Sequence, residues 1–141
     1  MARTENQRHT AGPKQPASFG RSTRQRRAIW GAFERVGHPL SVGDVVAATE
    51  RSGDPVSLTT AYRTIGALVD EGLLESIELP GAGTYFERAG KSHHHHFSCL
   101  RCSRAYELPQ CETKATALPR GFRAVSHETT VFGLCATCAR A

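Results

Sequence analysis

Two cysteine pairs, Cys99-x-x-Cys102 and Cys135-x-x-Cys138, stand 32 residues apart in a chain of 141. A Cys-x-x-Cys knuckle turns the backbone tightly around an ion, so both thiolates can reach it. Two knuckles complete a tetrahedral sulfur shell that suits zinc and leaves no coordination position open. A redox dithiol is the second reading of such pairs, and four unrelated free thiols are the plainest. Paired knuckles favour zinc over both. A fifth cysteine, Cys111, is left over and reads as a free thiol.

The second concentration of ligand-type residues is His93-His94-His95-His96, in the middle of the chain. If this stretch is extended, successive side chains point to opposite faces. His94 and His96 would then serve one site, and His93 and His95 another. Glu87, Glu107 and Glu112 are candidate carboxylates, and His127 is a further imidazole. Imidazole with carboxylate suits zinc, iron, manganese or nickel, so residue type alone does not name the ion. On the run alone, four solvated histidines without metal are the alternative.

Upstream of these residues the apolar periodicity changes character. Ile29, Ala32, Phe33 and Val36 follow the i, i+3, i+4, i+7 spacing of a helix that starts near Thr23 and stops at Gly37-His38-Pro39. Ser41 can cap a second helix with Val42, Val45 and Val46 inward, broken by Ser52-Gly53-Asp54-Pro55. Ser57 can cap a third, which Gly72 ends at the position needing a left-handed backbone. Leu58, Ala61, Ile65, Leu68 and Val69 line one side of it. Arg63 points away from them, Thr59 and Thr60 share the open side, and Tyr62 sits at its edge. Leu74–Leu79, the turn Pro80-Gly81-Ala82-Gly83 and Thr84–Arg88 then read as a hairpin. Three helices followed by a hairpin is the order of a winged helix-turn-helix.

Ala89-Gly90-Lys91-Ser92 reads as a hinge. Beyond it, short strands are predicted at 94–99, 104–108, 122–126 and 128–134, with a helix of two or three turns near 110–118. Residues 1–19 carry no periodic apolar positions and read as a disordered basic tail. The net charge of +5 is unevenly placed: residues 1–30 hold seven basic side chains against Glu5. Such a segment favours a polyanion, although a merely solvated tail has the same composition. No apolar run approaches the roughly 20 residues of a membrane span, and the first 20 lack the apolar stretch of a signal peptide. A cytoplasmic chain is expected, where thiols stay reduced and cysteine pairs tend to hold metal.

Four segments, in order, resemble the ferric uptake regulator (Fur) family of bacterial metal sensors. Thr23-Arg24-Gln25-Arg26-Arg27 is similar to the family's opening Thr-x-Gln-Arg, and Thr60-Ala61-Tyr62-Arg63-Thr64-Ile65 to its Thr-Val-Tyr-Arg-x-Leu recognition helix. His93–Cys102 resembles its His-rich run into Cys-x-x-Cys, and Cys135–Cys138 matches its second pair. The resemblance covers about residues 20–138. It implies an α+β fold: a winged helix-turn-helix at 20–89, then a small α/β dimerisation domain at 90–141 with a four-cysteine zinc site. It implies that Tyr62 and Arg63 read bases in the major groove and that Arg21 reaches the minor groove. Cys99, Cys102, Cys135 and Cys138 become the structural zinc ligands. Glu87, His94, His96 and Glu107 fall on the regulatory metal site, and His93, His95, His127 and Glu112 on an additional one.

Three positions depart from the family pattern. Pro39 takes the place of a regulatory histidine often found just before the second helix, with His38 one residue early as a weak ligand. Arg88 stands where some zinc sensors carry Cys and peroxide sensors Asp, which argues against both subtypes. The segment between the cysteine pairs is about one helical turn shorter than usual, which loosens the match at Glu112. Glu87 and the missing cysteine lean towards iron as the sensed ion, with zinc next.

The expected function is a metal-responsive repressor that binds a double-stranded DNA operator as a homodimer, with iron or zinc as co-repressor and no membrane or small-molecule substrate. Two recognition helices must be held about one DNA turn apart, and a symmetric interface between the carboxy-terminal strands would do so. A zinc-ribbon scaffold without metal-regulated DNA binding is the alternative. A metalloenzyme has less in its favour: there is no His-Glu-x-x-His and no His-x-Glu followed by Pro-Cys-x-x-Cys.

Overall fold

The computed structural model describes residues 24–110 and 118–141. The expected helix at 110–118, Cys111, Glu112, Arg21 and the 1–19 tail therefore lie wholly or largely outside the described residues. Three helices open the fold: α1 (Arg24–Arg35), α2 (Val42–Arg51) and α3 (Leu58–Asp70). The hairpin β1 (Leu74–Leu79) and β2 (Gly83–Arg88) follows, then β3 (His95–Cys99), β4 (Ala105–Leu108), β5 (Thr130–Gly133) and the short α4 (Ala136–Ala139).

The caps decide where the helices begin and end. Ser41 closes a capping box with Asp44: its hydroxyl accepts from the Asp44 amide, and the Asp44 carboxylate accepts from the Ser41 amide at 2.9 Å. The Ser57 hydroxyl accepts from the Thr60 amide at 3.2 Å. At the far end of α3, Gly72 adopts φ +71°, and the amides of Gly72 and Leu73 return to the carbonyls of Val69 and Leu68, both at 2.9 Å. These paired bonds form a Schellman close, which a side chain with a Cβ would strain.

Ile29, Trp30, Phe33, Val45, Ala61, Ile65 and Leu68 bury together where the three helices meet. Truncating Ile65 or Leu68, both fully buried, would cost about 2–5 kcal/mol. One inward expectation needs correction: Leu58, in the first turn of α3, is 53% exposed. Val36, Val46 and Val69 pack against the core as expected, although each is only partly buried.

The wing has two working faces. β1 and β2 pair antiparallel from Leu74↔Arg88 to Leu79↔Gly83. Phe86 faces the helices and bonds with Leu40 in a single bridge. One residue to either side, Tyr85 and Glu87 are buried on the opposite face, as strand alternation requires. Tyr85 packs with Leu79 and Ala105 and donates to the Ser103 carbonyl. This face of the wing thus meets the carboxy-terminal half.

The second sheet has the order β4-β3-β5, with β3 antiparallel to β4 and parallel to β5. The expected strand at 122–126 is absent. Residues 118–128 are exposed and unpaired in any ladder, with Val125 99% accessible. This segment belongs to the connection between β4 and β5, which carries the chain across β3 from one edge of the sheet to the other.

Candidate metal centres and DNA-facing helix

The four cysteines converge although 32 residues separate the pairs. Their sulfur atoms all lie within 4.8 Å of one another, and Cys102 Sγ is 3.9 Å from Cys135 Sγ. Thiolates bonded to one zinc at about 2.3 Å stand about 3.8 Å apart, so the spacing fits the ion. The first knuckle is shaped by Ser103, a left-handed residue at φ +57° whose amide bonds the Cys99 carbonyl at 3.0 Å. The second is the start of α4, with Cys135 at its N-cap. The backbone amides of Cys102 and Cys135 hold the Cys99 thiol down to about 6. The Cys138 thiol is pushed up to about 12, first by its hydrogen bond to Cys135 and then by burial. Zinc binds cysteines as thiolates, so an ion in this cluster would displace the thiol protons. The sequence offered no sign that Tyr106 hydrogen-bonds Cys135 from β4, a contact that depends on strand register.

The histidine run splits by alternation. Glu87 Oε1 lies 2.8 Å from His94 Nε2 and 3.3 Å from His96 Nε2. Glu87 comes from β2, whereas His94 and His96 come from beyond the 89–92 segment. His94 Nδ1 donates to the Ser92 carbonyl at 2.7 Å, which orients the ring and frees Nε2 for a ligand role. Burial pushes the Glu87 carboxyl up, but the His96 hydrogen bond and the charges of His94 and Lys91 outweigh it and hold the carboxyl below its usual range. Burial likewise opposes the His94 charge, yet the Ser92 carbonyl and Glu87 raise its affinity for a proton. Two imidazoles on one carboxylate oxygen form a donor set that fits a divalent ion.

Glu107 is the neighbour of this trio and does not join it. It pairs in register with His96 across β3 and β4, but its Oε2 is held by Lys91 Nζ at 2.7 Å. His38 also stands apart, with its ring 5.6 Å from that of Tyr106.

On the other side, His127 Nε2 lies 3.2 Å from both His93 Nε2 and His95 Nε2. His95 is buried, and burial, His93 and His127 together disfavour its protonation. Its Nδ1 has no partner among the described residues. Three imidazole nitrogens aimed at one point repel when protonated, and they fit a cation that replaces the protons.

On α3, Tyr62 is 60% exposed and Arg63 is exposed beside it, while Ala61, Ile65 and Leu68 face the core. The second helix of a helix-turn-helix unit therefore presents an open polar face at its amino-terminal end.

These elements make the chain a winged-helix protein joined to an α/β unit that carries clustered metal-ligand side chains. Comparison with known proteins narrows that class. The Ferric uptake regulator family matches residues 19–132. The zinc uptake regulation protein of Mycobacterium tuberculosis is 33% identical over 122 residues, covering 84% of this chain and 94% of that protein. The ferric uptake regulation protein of Synechococcus elongatus is 30% identical over 127 residues, covering 85% and 86%. A solved zinc-bound manganese uptake regulator superposes with a TM-score of 0.73 at 26% identity, covering 82% of this chain and 90% of that one. The chain belongs to the ferric uptake regulator family.

Proposed function

We propose that this protein is a metal-responsive transcriptional repressor of metal-uptake genes, acting in the cytoplasm as a homodimer on a DNA operator, with iron or zinc as co-repressor. The observation that carries this reading is the span of the Glu87–His94–His96 cluster. Its carboxylate belongs to β2 of the wing, whereas His96 belongs to β3 and His94 immediately precedes that strand.

The unit at 20–89 reads DNA through Tyr62 and Arg63, with Arg21 in the minor groove. The unit at 90–141 dimerises and senses. Val131 and Phe132 on the edge strand β5, and Leu134 just beyond, are 43–47% exposed and suit a symmetric interface. Cys99, Cys102, Cys135 and Cys138 hold a structural zinc that ties the two knuckles together. His93, His95 and His127, with Glu112, serve the additional site. Glu87, His94 and His96 form the regulatory site, and Glu107 stands at its edge.

Glu87 on β2, with His94 and His96, would hold a divalent cation, which would supply a cross-link between the wing and β3. Glu87 would then fix the wing relative to the dimer, so that the two copies of α3 keep one separation. If operator DNA fits that separation best, linkage requires that metal tightens DNA binding and DNA tightens metal binding. None of these roles needs a catalytic step.

Operator affinity of protein holding only its structural zinc, measured against a panel of divalent ions at fixed free concentration, tests the reading. Iron or zinc should raise the affinity about tenfold or more. Equal affinity with and without every ion would dismiss metal-responsive repression and favour a zinc-ribbon scaffold.

A further inference from the structure

The Lys91 ammonium bridges the two carboxylates of the regulatory region, 2.7 Å from Glu107 Oε2 and 3.4 Å from Glu87 Oε2. The contact is largely shielded: the side chains of Lys91, Glu87 and Glu107 are 19%, 4% and 26% exposed. Glu87 is thereby divided between two partners. Its Oε1 faces His94 and His96, and its Oε2 faces the ammonium. Glu107 lies opposite His96 in the β3–β4 register, so the lysine occupies the carboxylate next to the imidazole pair.

We propose that Lys91 is a built-in cation of the regulatory site, which competes with the metal for Glu87 and Glu107 and so sets the free-metal concentration at which the repressor engages. The inference rests on the regulatory role proposed for Glu87, His94 and His96. Two carboxylates side by side repel, and a divalent ion is one way to relieve that repulsion. Lys91 relieves it from within the chain, holding β2 near β4 before any ion arrives. An incoming ion then meets a positive charge already at the site, in a shielded setting where charge–charge energies exceed those in bulk water. Glu107 Oε2 can become a ligand only by giving up its lysine. A lysine acting this way raises the metal threshold without being a ligand.

Cobalt(II) is a suitable probe, because its absorption reports binding directly. The four-cysteine site is first filled with zinc, and cobalt is titrated against a chelator of known affinity. Lys91→Met keeps the apolar stem and removes the charge, so it should bind cobalt about tenfold more tightly than wild type. Lys91→Arg keeps the charge and should stay within about threefold of wild type. Lys91→Gln repeats the neutralisation should the methionine variant misfold, with retained zinc as the check on folding. Unchanged or weaker cobalt binding in the neutral variants would overturn the proposal and make Lys91 a plain strut. If neither wild type nor the neutral variants bind cobalt in a manner that His96→Ala abolishes, the regulatory reading and this inference fall together. Tightening in Lys91→Met that His96→Ala removes supports both.

Discussion

The four-cysteine cluster and the Glu87–His94–His96 cluster are both built for a cation, yet they differ in each property that decides what a cation does there. The cysteines lie wholly in the carboxy-terminal half, three of the four are buried, and the donors are all sulfur. Filling that site closes a knuckle on a knuckle and consolidates one unit. The mixed cluster draws its donors from both sides of the hinge and keeps a lysine at its edge. Under the proposed function, filling it would change how the wing sits on the sheet that follows. On that reading, placement on one or both sides of residues 89–92, more than ligand number, separates a folding site from a sensing site.

Mutations should divide along the same line. The largest effect is expected at the closed site. Cys99→Ser or Cys135→Ser should lose the structural zinc and destabilise the carboxy-terminal unit and its dimer by about 3 kcal/mol or more, because ligation and folding are coupled in so small a unit. Zinc analysis and sedimentation check this, and full zinc content with an intact dimer would refute it. Next comes DNA reading, common to both clusters as their output. Arg63→Ala should cost about 1–3 kcal/mol on operator over scrambled duplex, and equal losses on both duplexes would move the reading surface off α3. His96→Ala should keep the zinc and weaken metal-activated operator binding about tenfold, near 1.4 kcal/mol of coupling. His95→Ala should do less to that response, since its side chain belongs to the cluster on the other face of β3. A His95 variant that matches the His96 variant would erase the distinction between the two faces.

The helix ends and the facing of the histidine run are legible in the sequence, because local chemistry decides them. Ser41, Ser57 and Gly72 mark helix ends through bonds within a few residues. The split of His93–His96 between two faces follows from the pleat of any strand. What stayed hidden depends on partners distant in sequence. The parallel pairing of β5 with β3 left residues 122–126 as a connection, where their apolar pattern suggested a strand. The short α4 begins inside the second knuckle, and four residues carry no periodicity. Lys91 read as a hinge residue because nothing in the sequence announces that β2 and β4 bring Glu87 and Glu107 to its ammonium.

Whether the Glu87–His94–His96 cluster transmits metal occupancy to DNA is decided by one double comparison: operator affinity of wild type and His96→Ala, each holding its structural zinc, with and without saturating iron or zinc. The two proteins should bind alike without the second ion, and only wild type should gain about tenfold when it is added. An equal gain in both proteins would place the sensing site elsewhere.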